Sequence, residues 1–159
     1  MDRRTSITLI ARALLFSVVV LLVGNGTSYA QEADIKAAIN AFHAALGSLD
    51  VSKMEPLWAH DANVISIQPR DKSIAVGWDA VKKDWENTFG RTSELKVTEI
   101  AGPYIQVRGD VAWATGIEEA VVKTKAGQTF TAPTYDTMIF EKRGGQWLLV
   151  SQIALRVPK

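Results

Sequence analysis

The chain has 159 residues, enough for one domain, and it has no cysteine, which excludes disulfide bonds and thiolate chemistry. Its 18 basic and 17 acidic residues are scattered, so it lacks the dense positive runs that are typical of nucleic-acid binding. With 47% apolar residues and five tryptophans, it can bury a core of its own.

Residues 1–30 have the three parts of a secretory signal peptide. Arg3, Arg4 and Arg12 give a basic start, residues 13–23 are apolar and uncharged, and Ser28 and Ala30 occupy the positions that a signal peptidase reads. A span of the bilayer takes about 20 apolar residues, more than this run supplies, so we expect cleavage after Ala30 and no stable membrane anchor. The prediction is therefore a periplasmic or secreted protein with a net charge near −1, because three arginines and one aspartate leave with the peptide. The paired arginines leave the twin-arginine route open beside general secretion.

Three helices are predicted at the start of the mature chain. Apolar residues recur at spacings of three and four over 33–46, which predicts a helix that ends at Gly47. Asp50 or Ser52 can cap a short second helix that closes at residues 57–58. Gly77 then opens a third helix over 78–89, which ends at Gly90. A single early strand, 64–67, lies between the second and third helices and ends at Pro69, and residues 70–76 are predicted as a polar loop.

Long strands joined by tight turns make up the rest of the chain. Alternating apolar residues predict strands over 94–107, with a kink or bulge at 101–103, and over 111–123, 129–142 and 146–156. Glycine-containing turns at 109–110, 126–128 and 144–145 join them as hairpins. Because helices and strands are segregated, the sequence predicts an α+β fold with a single domain over 31–159.

Four stretches carry a resemblance to the SnoaL-like (DUF4440) family of the NTF2-like superfamily, which shares its fold with ketosteroid-isomerase-like proteins. They are residues 57–64 (Leu-Trp-Ala-His-Asp-Ala-Asn-Val), 77–86 (Gly-Trp-Asp-Ala-Val-Lys-Lys-Asp-Trp-Glu), 109–116 (Gly-Asp-Val-Ala-Trp-Ala-Thr-Gly) and 137–147 (Thr-Met-Ile-Phe-Glu-Lys-Arg-Gly-Gly-Gln-Trp). The resemblance implies three N-terminal helices packed on a curved antiparallel sheet that rolls into a cone. It also implies a homodimer formed through the outer face of the sheet, which something must cover.

The sequence departs from the family pattern at its polar pocket positions. Tyr135 replaces an arginine that many relatives carry two residues before Thr137, and residues 151–153 (Ser-Gln-Ile) replace a histidine-containing run. The resemblance then implies that Tyr135 points into the cone. The same reasoning predicts the pocket residues Tyr104, Trp113, Tyr135, Thr137, Ser151 and Ile153.

Acid–base chemistry would need a carboxyl group on the concave face, desolvated enough to raise its pKa. The candidates are Asp136, Glu118 and Glu119, with Tyr104 or Tyr135 as hydrogen-bond donors to an oxyanion, as the resemblance to ketosteroid-isomerase-like proteins implies. Side chains alternate along a strand, so only one of Tyr135 and Asp136 can face the cone. Placing Tyr135 inward turns Asp136 outward, and Glu119 then shares a face with Trp113.

No metal or cofactor is predicted. His43 and His60 do not lie in a ligand-spaced cluster, and we expect structural or surface roles for both. Three functions stay open: an exported domain that binds a small apolar ligand and has no defined catalytic set; a cofactor-independent isomerase or lyase that uses Glu119 or Asp136 with a tyrosine; and a dimerisation or docking module without a ligand. A carboxylate inside the cone favours the second, and a filled cone favours the third.

Overall fold

The computed structural model describes residues 29–70 and 73–158. Most of the predicted signal peptide, residues 1–28, lies outside the described residues, and so do positions 71 and 72 of the predicted loop. Residues 29–48 are helical and form α1, and Trp78–Arg91 form α2. In the described part, no helix is both long and apolar enough to cross a membrane.

The predicted helical stripes are the buried faces of α1 and α2. In α1, Ile35, Ile39 and Phe42 are almost completely buried, and in α2 the same is true of Val81 and Trp85. The predicted second helix is instead two 3-10 turns, Val51–Lys53 and Glu55–Leu57. Pro56 lacks the N–H that a continuous α-helix would need there, which accounts for the difference.

Six strands form one sheet in the order β2-β1-β6-β5-β4-β3. Their bounds are β1 Ile65–Ile67, β2 Ala75–Val76, β3 Thr92–Arg108, β4 Val111–Thr124, β5 Thr129–Arg143 and β6 Gln146–Arg156. The register of β3 against β4 shifts around Ala101, which confirms the predicted bulge. At the turn from β5 to β6, Gly144 and Gly145 both have positive φ, as a two-residue type I′ hairpin requires.

One pairing differs from the predicted antiparallel sheet. The short strand β1 runs parallel to β6, so the sheet is mixed, and β2 pairs with β1 in a segment that was predicted as loop. The rest of the sheet is antiparallel and carries both helices on its concave face. The core lies between them, and its strand residues include Ala112, Ala114, Met138, Phe140 and Leu149. This α+β arrangement, with helices packed on a curved sheet, is the one that the resemblance implied.

Candidate functional site

A cavity of about 200 Å³ lies between the two helices and the concave face of the sheet. Most of its wall is apolar, and its polar groups come from α2, from the segment after β1 and from β4, β5 and β6. The lining residues are Phe42, Leu46, Gln68, Pro69, Arg70, Trp85, Thr88, Leu95, Val97, Glu118, Ala120, Val122, Phe130, Ala132, Thr134, Asp136, Gln152, Ala154 and Arg156. A largely apolar wall with a few convergent polar groups is the usual composition of a small-molecule site.

The carboxyl group of Asp136 is buried in this cavity. Asp136 points inward from the middle of β5, on the same face as Met138 and Phe140, and is only 4% exposed. Burial, reinforced by the negative charge of Glu118, raises its pKa from 3.8 to about 7, although a hydrogen bond from Gln152 and the charge of His43 act in the opposite direction. A carboxyl group in this state can both give and take a proton near neutral pH.

Glu118 and His43 form an ion pair next to Asp136. Glu118 lines the cavity from β4, and its Oε1 atom lies 2.8 Å from Nε2 of His43 on α1. Burial alone lowers the pKa of His43, but the contact with Glu118, the charge of Glu118 and the more distant charges of Asp136 and Glu99 outweigh it, so the pKa is raised. His43 is therefore biased toward its charged form and partly offsets the two carboxyl groups.

Two glutamine side chains connect Asp136 on β5, across β6, to Ser66 on β1. Gln152 on β6 donates from Nε2 to Oδ1 of Asp136, and its Oε1 accepts from Gln68 at 2.8 Å. Gln68 also donates to Oγ of the buried Ser66 at 2.8 Å. The amide of Gln152 thus uses its nitrogen and its oxygen at once, which fixes its orientation and holds the Asp136 carboxyl in place.

The predicted pocket residues lie on the other face of the sheet, so the predicted orientation of the strands was wrong. Tyr104 is 71% exposed, Tyr135 46% and Trp113 38%. None of the six residues lines the cavity; they are Tyr104, Trp113, Tyr135, Thr137, Ser151 and Ile153. Glu119 shares their convex face, because it is one residue out of phase with Glu118. In the part of the chain that the structure describes, no tyrosine therefore lines the cavity beside Asp136 as an oxyanion donor.

The prediction of the inward face was wrong because it was based on the resemblance at Tyr135 and not on the pattern of large apolar residues along the strand. On β5 the large apolar residues Met138 and Phe140 alternate with half-exposed ones, and in a sheet with one covered face those residues belong inside. Asp136 has the same parity, so the sequence did contain the information that would have placed it in the cone. Trp113 reinforced the error, because the inward positions beside it are Ala112 and Ala114.

The histidines have different surroundings. His60 is exposed and stacks on Trp78 with ring centroids 4.4 Å apart, outside the cavity. His43 has the ion pair described above, which the sequence did not predict. Among the described residues, no group of three or more His, Cys, Asp or Glu side chains could hold a metal ion.

The helices lie over the concave side of a cone-shaped sheet, and the buried Asp136 carboxyl group lies in the cavity between them. This is the arrangement of an NTF2-like protein with a polar group inside its cone. A model of the SnoaL-like domain family matches residues 35–154, and the chain belongs to that family. No curated protein matches it.

Solved structures with the same fold come from several bacteria. A nuclear transport factor 2 (NTF2-like) superfamily protein from Salmonella enterica superposes with a TM-score of 0.72 at 22% identity, over 81% of this chain and 91% of that one. A ketosteroid isomerase-like protein from Erwinia carotovora atroseptica gives 0.67 at 19% identity, over 80% and 96%. A conserved protein from Planctomyces limnophilus gives 0.70 at 18% identity, over 82% and 99%. At these identities the likeness concerns the fold.

Proposed function

We propose that this protein binds a small, largely apolar molecule in the cavity, with Asp136 as the polar group that meets it. The observation that carries the proposal is the burial of the Asp136 carboxyl at the wall of an open cavity. Burying an ionisable group costs stability, so such groups occur most often where they interact with a ligand or substrate. The open cavity also counts against a module that serves only to dimerise or dock.

The size of the cavity limits the ligand. A cavity of about 150 Å³ holds a benzene molecule. At about 200 Å³ this one holds roughly eight carbon atoms in its interior, with further groups able to reach out of its mouth. A compact aromatic or short aliphatic molecule fits this description.

The first experiment uses 3-phenylpropan-1-ol, a neutral probe of suitable size, followed by amide chemical shifts in NMR. We expect binding with a dissociation constant on the order of 0.1 to 1 mM, given the usual free energy per ligand atom. Ala132→Phe should weaken binding at least tenfold, because Ala132 lines the cavity. Thr131→Phe is the matched control, since Thr131 is exposed and faces away from the cavity. Absence of binding, or equal effects of both variants, would contradict the proposal.

A second candidate function is cofactor-independent proton transfer next to a carbonyl group. It is favoured by the pKa of Asp136 at about 7 and by the adjacent Glu118–His43 pair. The Asp136 carboxylate would take a proton from the carbon beside the carbonyl, leaving an enolate. The resulting carboxyl group exchanges its proton with solvent and would then give a solvent-derived proton back to carbon.

This second function has its own test, exchange of the carbon-bound protons of 4-phenylbutan-2-one for deuterium in D2O. The wild-type protein should accelerate the exchange above the buffer rate, and Asp136→Asn should abolish the acceleration, because asparagine cannot carry the proton. If the wild-type rate equals the buffer rate, proton transfer is wrong and ligand binding stands alone.

Export and dimerisation remain part of the proposal. The predicted signal peptide supports a periplasmic or secreted location, and the mass of the protein recovered from the periplasm or medium tests cleavage after Ala30.

A homodimer through the sheet is supported by four exposed apolar and aromatic residues on the convex face, Tyr104, Trp113, Tyr135 and Leu155. Light scattering of the purified protein tests it: a dimer that Trp113→Arg converts to a monomer supports the proposal, and a wild-type monomer contradicts it.

A further inference from the structure

Two arginines line the cavity at its solvent-exposed side. Arg156 is the last residue of β6, and Arg70 follows the end of β1 by three residues. Since β1 and β6 are parallel neighbours, both arginines lie at the same end of the sheet. Both are exposed, whereas Asp136 is buried, so the arginines stand at the mouth and the acid lies deeper.

The positive charge at the mouth is not neutralised by the described part of the chain. Neither Arg70 nor Arg156 is in an ion pair there, and the hydrogen bond from Arg70 to Oγ1 of Thr88 is long, at 3.4 Å. The carboxyl groups that line the cavity have other partners: Glu118 is paired with His43, and Asp136 accepts from Gln152. A small cavity with uncompensated guanidinium groups at its opening attracts anions.

We propose that the ligand of this cavity is an apolar carboxylic acid, whose carboxylate is held at the mouth by Arg70 and Arg156 while its apolar body fills the interior. The inference rests on the proposed binding function and adds the chemical class of the ligand. A guanidinium group matches a carboxylate with two parallel hydrogen bonds, which ammonium groups cannot do. Glu118, and Asp136 when it is ionised, disfavour a carboxylate at the deep end, so the two ends of the cavity fix the orientation of the ligand.

The experiment compares 3-phenylpropanoate with 3-phenylpropan-1-ol, two probes that share their apolar body and differ in charge. Dissociation constants are measured by NMR at pH 7 and low salt, and the readout is the dissociation constant of the alcohol divided by that of the acid. We expect the acid to bind at least tenfold more tightly than the alcohol. The preference should shrink in about 0.5 M NaCl, because the arginines are exposed and their charges are screened.

Arginine variants test whether the preference for the acid comes from Arg70 and Arg156 at the mouth of the cavity. In the double variant R70Q/R156Q the ratio should fall to near one, and R70K/R156K should keep part of it because lysine retains the charge. R108Q is the matched control: Arg108 is an exposed arginine that does not line the cavity, and the ratio should stay as in the wild type.

Each outcome decides a different question. If the alcohol binds as tightly as the acid, or if R108Q lowers the ratio as much as R70Q/R156Q does, the carboxylate inference is overturned while the binding function stands. If neither probe binds, both are overturned.

Discussion

Replacing Asp136 with asparagine tests whether an ionisable group is buried in the cavity. Asparagine has nearly the same size and keeps the oxygen that accepts the hydrogen bond from Gln152, but it cannot ionise. Asp110→Asn is the matched control, because Asp110 is an exposed carboxyl group in the turn between β3 and β4. The structure predicts that the stability of the Asp136 variant depends on pH differently from that of the wild type, and that the control does not.

The sign and the size of the expected stability change follow from the pKa of Asp136. Since the folded-state pKa of about 7 lies above the ordinary 3.8, the unfolded chain loses its proton first as pH rises. The contribution of protonated Asp136 to stability is therefore complete below about pH 4 and is lost between about pH 4 and 7. The whole difference in proton affinity corresponds to about 4 kcal/mol. Between pH 5 and pH 8 the wild type should lose about 3 kcal/mol relative to the variant.

The assay is urea unfolding at intervals from pH 5 to pH 9, followed by tryptophan fluorescence, for the wild type and both variants. The titration of the Asp136 carboxyl carbon by NMR is measured in parallel. A free-energy difference between wild type and Asp136→Asn that stays constant across this range would refute the buried-acid interpretation. So would a carboxyl carbon that titrates near pH 4.

Two further predictions concern the neighbours of this acid. Glu118→Gln removes a negative charge beside Asp136, so the pKa of Asp136 should fall below about 7 but stay above 3.8, because burial is the larger cause; an unchanged NMR titration would show that the two carboxyl groups do not interact. Gly116→Ala should destabilise the protein by roughly 1 to 3 kcal/mol, because its new Cβ would lie 2.8 Å from a main-chain oxygen of β3. Gly90→Ala is the control: in α2 it meets no atom within 4 Å and should stabilise the protein by up to about 1 kcal/mol, so equal effects in urea unfolding would contradict the steric argument.

The sequence predicted the elements well where periodicity and turn residues agree. The apolar stripes of α1 and α2, the four long strands and the Gly144-Gly145 hairpin follow from spacing alone, because each is a local property of the chain. The parallel pairing of β1 with β6 could not be predicted in this way. It joins residues that are about 86 positions apart, such as Ile65 and Ser151, and depends on how the whole sheet closes.

The site was harder to predict than the fold because it depends on which face of each strand is covered. A one-residue error in parity moves every side chain of a strand to the opposite face, and this is what exchanged Tyr135 for Asp136 and Glu119 for Glu118. On β4 the inward residues are small where the helix comes close: Ile39 of α1 and Ala114 line the same narrow gap. Large aromatic residues are therefore a poor guide to the inner face of this sheet.

Asp136 also connects the two candidate functions, and one variant separates them. At a pKa of about 7 the carboxyl group is protonated in a large fraction of molecules at neutral pH, so it can donate to a ligand carbonyl or accept from a hydroxyl. Asparagine can do both with its amide but cannot move a proton. If Asp136→Asn still binds the phenylpropyl probes and the ketone no longer exchanges its protons, the buried acid serves chemistry. If the wild type shows no exchange and only affinity changes in the variant, the acid serves recognition, and its raised pKa is a consequence of the apolar surroundings that the ligand requires.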